Sequence, residues 1–240
     1  MLKVFVCLLL AHVLSDFVLQ TNFVYKLKTK SKIGLYLHVA TFFLLSFLFC
    51  LPSSYNLYFF IWLGFVSVSH YFIDKIKLFF QRNIIQKELI HFYADQSIHV
   101  LILCSLFLFF QDINGSSFLF EMIQGALALS TKSAILLFFT LSFSVYISYG
   151  ISVVLYYYDR TVDLQVEKLK HNYFSMFVRV MIFLLLASKF FWLGILLGLF
   201  VRQVLKKRLI YDGRRFVIEV LTLFVFLIMF LPIKYMIVGF

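Results

Sequence analysis

The sequence predicts an all-α protein, a polytopic transmembrane helical bundle of about six full spans plus a re-entrant hairpin. Three observations carry that expectation. Of 240 residues, 63% are hydrophobic and only 14% charged, against roughly 45–50% and about 25% in a soluble globular domain. Several runs approach or exceed the ~20 apolar residues that cross a bilayer as a helix. The period-2 alternation of a membrane-barrel strand is missing.

The first span is expected from about Val4 to Val24, ending at the lysine-rich KLKTKSK. Its start, MLKVFVCLLLAHVLSDF, has the basic entry and apolar core of a signal peptide. His12 and Asp16 interrupt that core and no small-residue cleavage site follows, so an uncleaved span is expected. A second span, about Ile33 to Leu51, stops at Pro52 in the turn PSSYN. The third, Tyr55 to Phe72, meets DKIKLFFQRNIIQKE, which reads as an interfacial amphipathic segment. The fourth begins near Tyr93 and ends at Phe110, followed by the linker QDINGSS.

Residues 118–131 are apolar but too short to cross alone, and are expected to lie at the interface or lengthen the next span. That fifth span covers about Ser133 to Tyr157 and ends in the mixed-charge DRTVDLQVEKLK. Two regions follow. Residues 1–111 form a four-helix membrane core that carries the polar site. Residues 112–240 form a C-terminal membrane region with the fifth span, a hairpin at 174–201, a basic loop at 202–215 and a last span at 216–238.

Of the 22 basic residues, 17 fall in segments 26–32, 75–91, 159–172 and 202–215. Such clusters mark cytoplasmic loops, so the net charge of +11 reads as a topology signal and predicts no nucleic-acid partner. Five alternating crossings put the first three clusters in the cytoplasm and the N-terminus outside. The fourth reaches the same side only if the stretch broken by Ser188 and Lys189 enters and leaves on one face.

Polar residues inside these spans carry the functional signal. His12 and Asp16, His70 and Asp74, and Asp95 and His99 each stand four apart, the spacing that puts two side chains on one helix face. With His38 on the second span, they fall at one depth in the cytoplasmic half once the helices alternate in direction; His12 alone lies deeper. Buried carboxylates in hydrocarbon cost at least ~2.5 kcal/mol each unless paired, hydrated or metal-bound. Imidazole and carboxylate suit one or two divalent ions, with Zn, Mn and Fe all open. Gln20 and Gln96 are expected to support these side chains by hydrogen bonds. Lys77 and Arg82, at headgroup level, are candidates for holding a substrate phosphate or for snorkelling.

Less is expected elsewhere. His91 lies at the interface, and His171 in a charged loop. Cys7, Cys50 and Cys104 have neither disulfide nor metal spacing. Lys189 and Glu219 read as a buried pair or as snorkelling charges, and Gly194 and Gly198 as a helix-packing motif.

HVLSDFVLQT, from His12 to Thr21, resembles the HxxxDFxLQT opening of a family of bacterial membrane proteins catalogued only as a domain of unknown function. The likeness continues through His38, HYFID with Lys77, and DQSIH, and so covers about the first 110 residues. A looser likeness involves Arg179, RQVLKKR and Glu219. In its His/Asp pattern the family is similar to membrane-bound proteins described as metal-dependent hydrolases of the DNA-damage regulon. The resemblance implies a bacterial inner-membrane protein with metal held by His12, Asp16, His38, His70, Asp74, Asp95 and His99.

Three functions follow as expectations. The first is a metal-dependent hydrolase acting on a membrane lipid or lipid-linked substrate. His38 and Asp74 would then handle protons, and His12, Asp16, His70, Asp95 and His99 would bind metal. The second is a divalent-cation or proton transporter or channel. The third is a non-catalytic scaffold or sensor with a structural metal site.

Overall fold

The computed structural model describes residues 1–51, 53, 56–83, 88–110, 117–162, 173–188, 193–198 and 213–238. His171, Lys189, the basic loop at 202–212 and the side chain of Arg82 lie outside the described residues. The described chain is helical throughout its long elements, and five helices are long and apolar enough to cross a membrane, six if the bent first pair is one span. It divides into two compact units, Met1–Ser142 and Phe143–Phe240.

In the first unit, α1 (Leu2–Val13) is the central helix. Val4, Val6, Cys7, Leu8 and Ala11 are wholly buried, and α1 packs against α3 (Lys32–Phe49), α5 (Glu88–Cys104) and α7 (Phe118–Ala126). It runs into a π-helical turn, Leu14–Val18, closed by Leu19 N–H to the Leu14 carbonyl at 2.9 Å. The chain then breaks and turns by 86° into α2 (Asn22–Lys30). The expected first span to Val24 is therefore too long: Thr21 caps a new helix by accepting from Val24 N–H. α2 lies across the end of α1 and packs on α3. At Gly34 any Cβ would run into the Leu27–Lys28 backbone, so glycine permits this close approach.

Helix α4 (Leu57–Asn83) also departs from expectation, because it continues past Phe72 for three further turns. The reason is a reversed amphipathic pattern. Asp74 and Gln81 are buried while Phe72, Ile76, Phe79 and Phe80 are exposed, so the charged stretch extends the helix with its polar face inward. Helix α5 repeats the pattern, with Glu88, Asp95, Gln96 and His99 buried and Ile90, Ile98 and Leu101 exposed. It also starts earlier than Tyr93, and the one-turn α6 (Leu106–Phe109) prolongs it. α3, α4 and α5 pack in sequence order.

Residues 118–131 form neither an extension of the next span nor a span of their own. α7 is a separate short helix whose N-cap, Ser117 Oγ, also bonds the Phe49 carbonyl at 2.5 Å and Cys7 Sγ at 3.1 Å. Ala128, at φ 48°, ends the connection. α8 (Thr131–Val145) then begins the fifth span, which runs to Arg160.

The second unit contains a π-helical turn, Tyr146–Gly150, leading into α9 (Ile151–Val162), then α10 (Tyr173–Leu186), a helical stretch α11 at 193–198 and α12 (Gly213–Val238). Gly194 sits against Leu186, and Gly198 nearest Ile182. This pairing makes α11 run antiparallel to the end of α10, and the two glycines are the contact points. Phe183, wholly buried, packs between Phe143 and Phe230.

Candidate metal centre

Helical spacing brings the polar residues to the interior of the first unit. On α3, Gly34, Leu35, His38, Phe42 and Ser46 are the buried positions, so His38 faces inward through ordinary 3.6-residue periodicity. His38 lies six residues, about 9 Å, inside the start of α3. Asp16 lies in the π turn at the end of α1, where the extra backbone width re-aims a side chain; such turns recur at functional sites. His12, His38, His70, Asp74, Asp95 and His99 are each at most 4% exposed, and Asp16 7%. All seven ligand candidates meet in one buried cluster.

Within it, four atoms converge: Asp16 Oδ1, His38 Nε2, His70 Nε2 and Asp74 Oδ2. The two imidazole nitrogens are 3.2 Å apart. Asp16 Oδ1 lies 3.4 Å from His38 and 3.5 Å from His70. Asp74 Oδ2 lies 3.4 Å from His38 and 3.3 Å from His70. Charge-assisted N–H···O hydrogen bonds close to about 2.7–2.9 Å, so these N···O gaps are too wide for strong ones. In a tetrahedral site with ligands at about 2.0–2.1 Å, neighbouring ligand atoms stand about 3.3–3.4 Å apart. The residues present fit a divalent ion with nitrogen and oxygen ligands.

The three i,i+4 pairs differ in how closely they approach. His70 and Asp74 converge, whereas His12 Nδ1 stays 3.9 Å from Asp16 Oδ1 and His99 Nδ1 3.6 Å from Asp95 Oδ1. The π turn carries Asp16 away from His12 and toward α3 and α4. His99 Nδ1 lies 2.8 Å from the Asp95 carbonyl, an acceptor that fixes the proton on Nδ1 and leaves the Nε2 lone pair available. His99 Nε2 and both nitrogens of His12 have no hydrogen-bond partner among the described residues. Their rings lie 5.2 Å apart, and the His99 ring is 4.1 Å from that of His70. Two further trios have ligand atoms within 4.8 Å of one another: His12, Asp16 and His70, and Asp74, Asp95 and His99.

The supporting residues connect the helices. Gln96 Nε2 donates to Asp16 Oδ2 at 3.2 Å and to Asp95 Oδ2 at 3.1 Å, tying α1 to α5. Ser15 Oγ donates to Asp16 Oδ1 at 3.2 Å. Lys77 Nζ meets Asp95 Oδ2 at 2.6 Å, an ion pair within the site. The His91 ring lies 5.7 Å from that of Phe80, apart from the cluster contacts above.

Lys28 is the residue that sequence reasoning missed. Read as one of four topology lysines, it is buried, with Nζ 2.7 Å from Asp74 Oδ1 and 3.0 Å from Gln20 Oε1. The local signal was two cap residues, Thr21 and Ser31, bracketing a short separate helix. Which of its lysines turns inward depends on the packing of α2 on α3.

A family model described as "Protein of unknown function (DUF3307)" matches residues 4–127. The chain belongs to that family. No curated protein and no solved structure matches the chain. The DUF3307 segment contains all seven clustered histidines and aspartates together with Lys28, Lys77, Gln20 and Gln96.

Outside that segment, the second unit has its own polar centre. Arg179 meets Glu219 Oε1 at 2.6 Å and donates to Ser152 Oγ at 2.9 Å and to the Ser148 carbonyl at 3.3 Å. Arg179 is thus a partner of Glu219; Lys189 lies outside the described residues.

Proposed function

We propose that this protein is a membrane-embedded metal-dependent hydrolase acting on a lipid or lipid-linked substrate at the cytoplasmic headgroup level. One divalent ion is held by Asp16, His38, His70 and Asp74. The observation that carries this reading is that His38 Nε2 and His70 Nε2 stand 3.2 Å apart and each lies 3.3–3.5 Å from Asp16 Oδ1 and from Asp74 Oδ2. His38 and Asp74, which the sequence suggests as proton handlers, belong in this reading to the ligand set. His12, Asp95 and His99 flank it.

Held by these four residues, a divalent ion would supply a nucleophile by lowering the pKa of a water, provided it expands to five-coordinate or one carboxylate yields its place. His99 Nε2 faces the cluster with its lone pair available and serves as the proton acceptor. Asp95, fixed by Lys77 and Gln96, holds the start of that turn of α5. The apolar packing around Val4 to Ala11 excludes water from the outer side, which also argues against a through-going ion path.

One observation favours a structural ion instead: four protein ligands, all buried, resemble a closed site. The partnerless nitrogens of His12 and His99 weigh against it. Buried polar atoms without partners cost stability, and a closed structural site has no use for them.

The full chain, purified without chelators, should contain about one divalent ion per chain by elemental analysis, and Asp16→Asn should lose most of it. Metal-dependent release of product from phospholipid or lipid-linked substrates in mixed micelles, followed by mass spectrometry, separates hydrolase from structural site. Absence of metal from the wild type overturns both readings; metal without turnover on any such substrate leaves the structural one.

A further inference from the structure

We propose that Lys28 is the anion-binding residue of this centre, and that its ammonium group holds an oxygen of a phosphate-type group on the substrate. The inference rests on the metal-centre reading above and names the substrate's charged group. Three observations carry it.

The first is an open donor. An ammonium group has three N–H donors. Among the described residues, Lys28 Nζ donates to Gln20 Oε1 at 3.0 Å and forms an ion pair with Asp74 Oδ1 at 2.7 Å. Its side chain is 5% exposed, so bulk water does not readily satisfy the third. The second is position. Asp74 joins Lys28 to the converging set, with Oδ1 on the lysine and Oδ2 facing His38 and His70. An anion with two oxygens spans such a lysine and an adjacent cation, the arrangement that stabilises charge in phosphoryl chemistry.

The third is charge. Asp74 and Asp95 are paired with the ammonium groups of Lys28 and Lys77, while Asp16 faces histidines, which leaves one negative charge among these five. One divalent ion turns that into one positive charge, and a bound anion closes the balance in a low-dielectric interior. The placement is built into the fold, because Gly34 lets the backbone at Leu27–Lys28 lie directly on α3. α2 lies across the end of α1 at 86°, with Phe23 74% exposed and Lys26 and Lys30 exposed. That geometry suits an interfacial helix at the depth of lipid phosphates.

The test uses the full chain in zwitterionic micelles loaded with Co2+, whose visible absorption reports changes at the metal. Inorganic phosphate should shift the wild-type spectrum saturably, and acetate should not. Lys28→Met should keep its cobalt while half-saturation by phosphate rises about 10- to 100-fold, and Lys28→Arg should recover much of the loss. A parallel arm in nanodiscs compares phosphatidylcholine alone with added phosphatidic acid. A response to the lipid but not to phosphate assigns the group to a headgroup, and the reverse assigns it to a soluble ester.

A wild type that binds no cobalt overturns the metal reading and this proposal together. Cobalt binding with no response to either phosphate source, an equal response to acetate, or an unchanged response in Lys28→Met overturns this proposal alone. Should Lys28→Met lose cobalt, Gln20→Leu decides, since it removes the neutral acceptor of Lys28 and no charge. A threefold or greater change in phosphate half-saturation with cobalt retained supports the role, and no change overturns it.

Discussion

His38→Gln is the sharpest perturbation of the candidate centre, because it removes one imidazole nitrogen without changing any charge. His38 Nε2 stands 3.2 Å from His70 Nε2 and 3.4 Å from each of Asp16 Oδ1 and Asp74 Oδ2. It is therefore a shared corner of both triangles around the proposed ion. Four-ligand zinc sites bind with about 10–16 kcal/mol, so one ligand is worth roughly 3 kcal/mol, a loss of more than 100-fold in affinity. At a free metal concentration 1,000 times the wild-type dissociation constant, binding adds about 4.1 kcal/mol to stability. A variant 100-fold weaker gains only about 1.4 kcal/mol at the same concentration. The expected result is a large metal-dependent rise in melting temperature for the wild type and about a third of that stabilisation for His38→Gln. Competition against a fluorescent zinc chelator reads the affinities directly. A variant that keeps one equivalent within threefold of the wild-type affinity would refute the assignment of His38 as a ligand.

Two further outcomes test the fold of each unit. Gly34→Val should push α2 away from α3, because its side chain meets the Leu27–Lys28 backbone; limited trypsin digestion should then cut faster among Lys26, Lys28 and Lys30, and unaltered cleavage would contradict the close packing. Arg179→Met removes the ion pair with Glu219, whose side chain is 18% exposed, and should cost about 3 kcal/mol of stability with metal content unchanged. Glu219→Gln, which keeps an acceptor, should cost less, and a metal content that falls with Arg179→Met would show that the two polar centres are linked.

Much of this molecule is legible in its sequence because a membrane imposes simple rules. Apolar run lengths determine how many helices can cross, and each of the seven clustered histidines and aspartates is identifiable as polar within such a run. The inward positions of His38, His70, Asp95 and His99 also follow from 3.6-residue spacing alone. Local spacing does not determine how helices share partners. The i,i+4 pairs suggested three separate clamps, but the π turn at Leu14–Val18 sends the Asp16 carboxylate across to His38 and His70, and His99 turns its Nδ1 to its own backbone. Charged residues read as the end of a span followed by an interfacial amphipathic segment. In α4 they continue the helix, because a polar face can be buried against other polar groups while phenylalanines face outward. Lys28 shows the limit most plainly. As a letter it is one of four lysines in seven residues, and only the packing of α2 on α3 at Gly34 brings it to Asp74. Sequence determined which elements could cross and which residues had to be satisfied inside; tertiary packing decided which partners satisfy them, because convergence is a property of several helices at once.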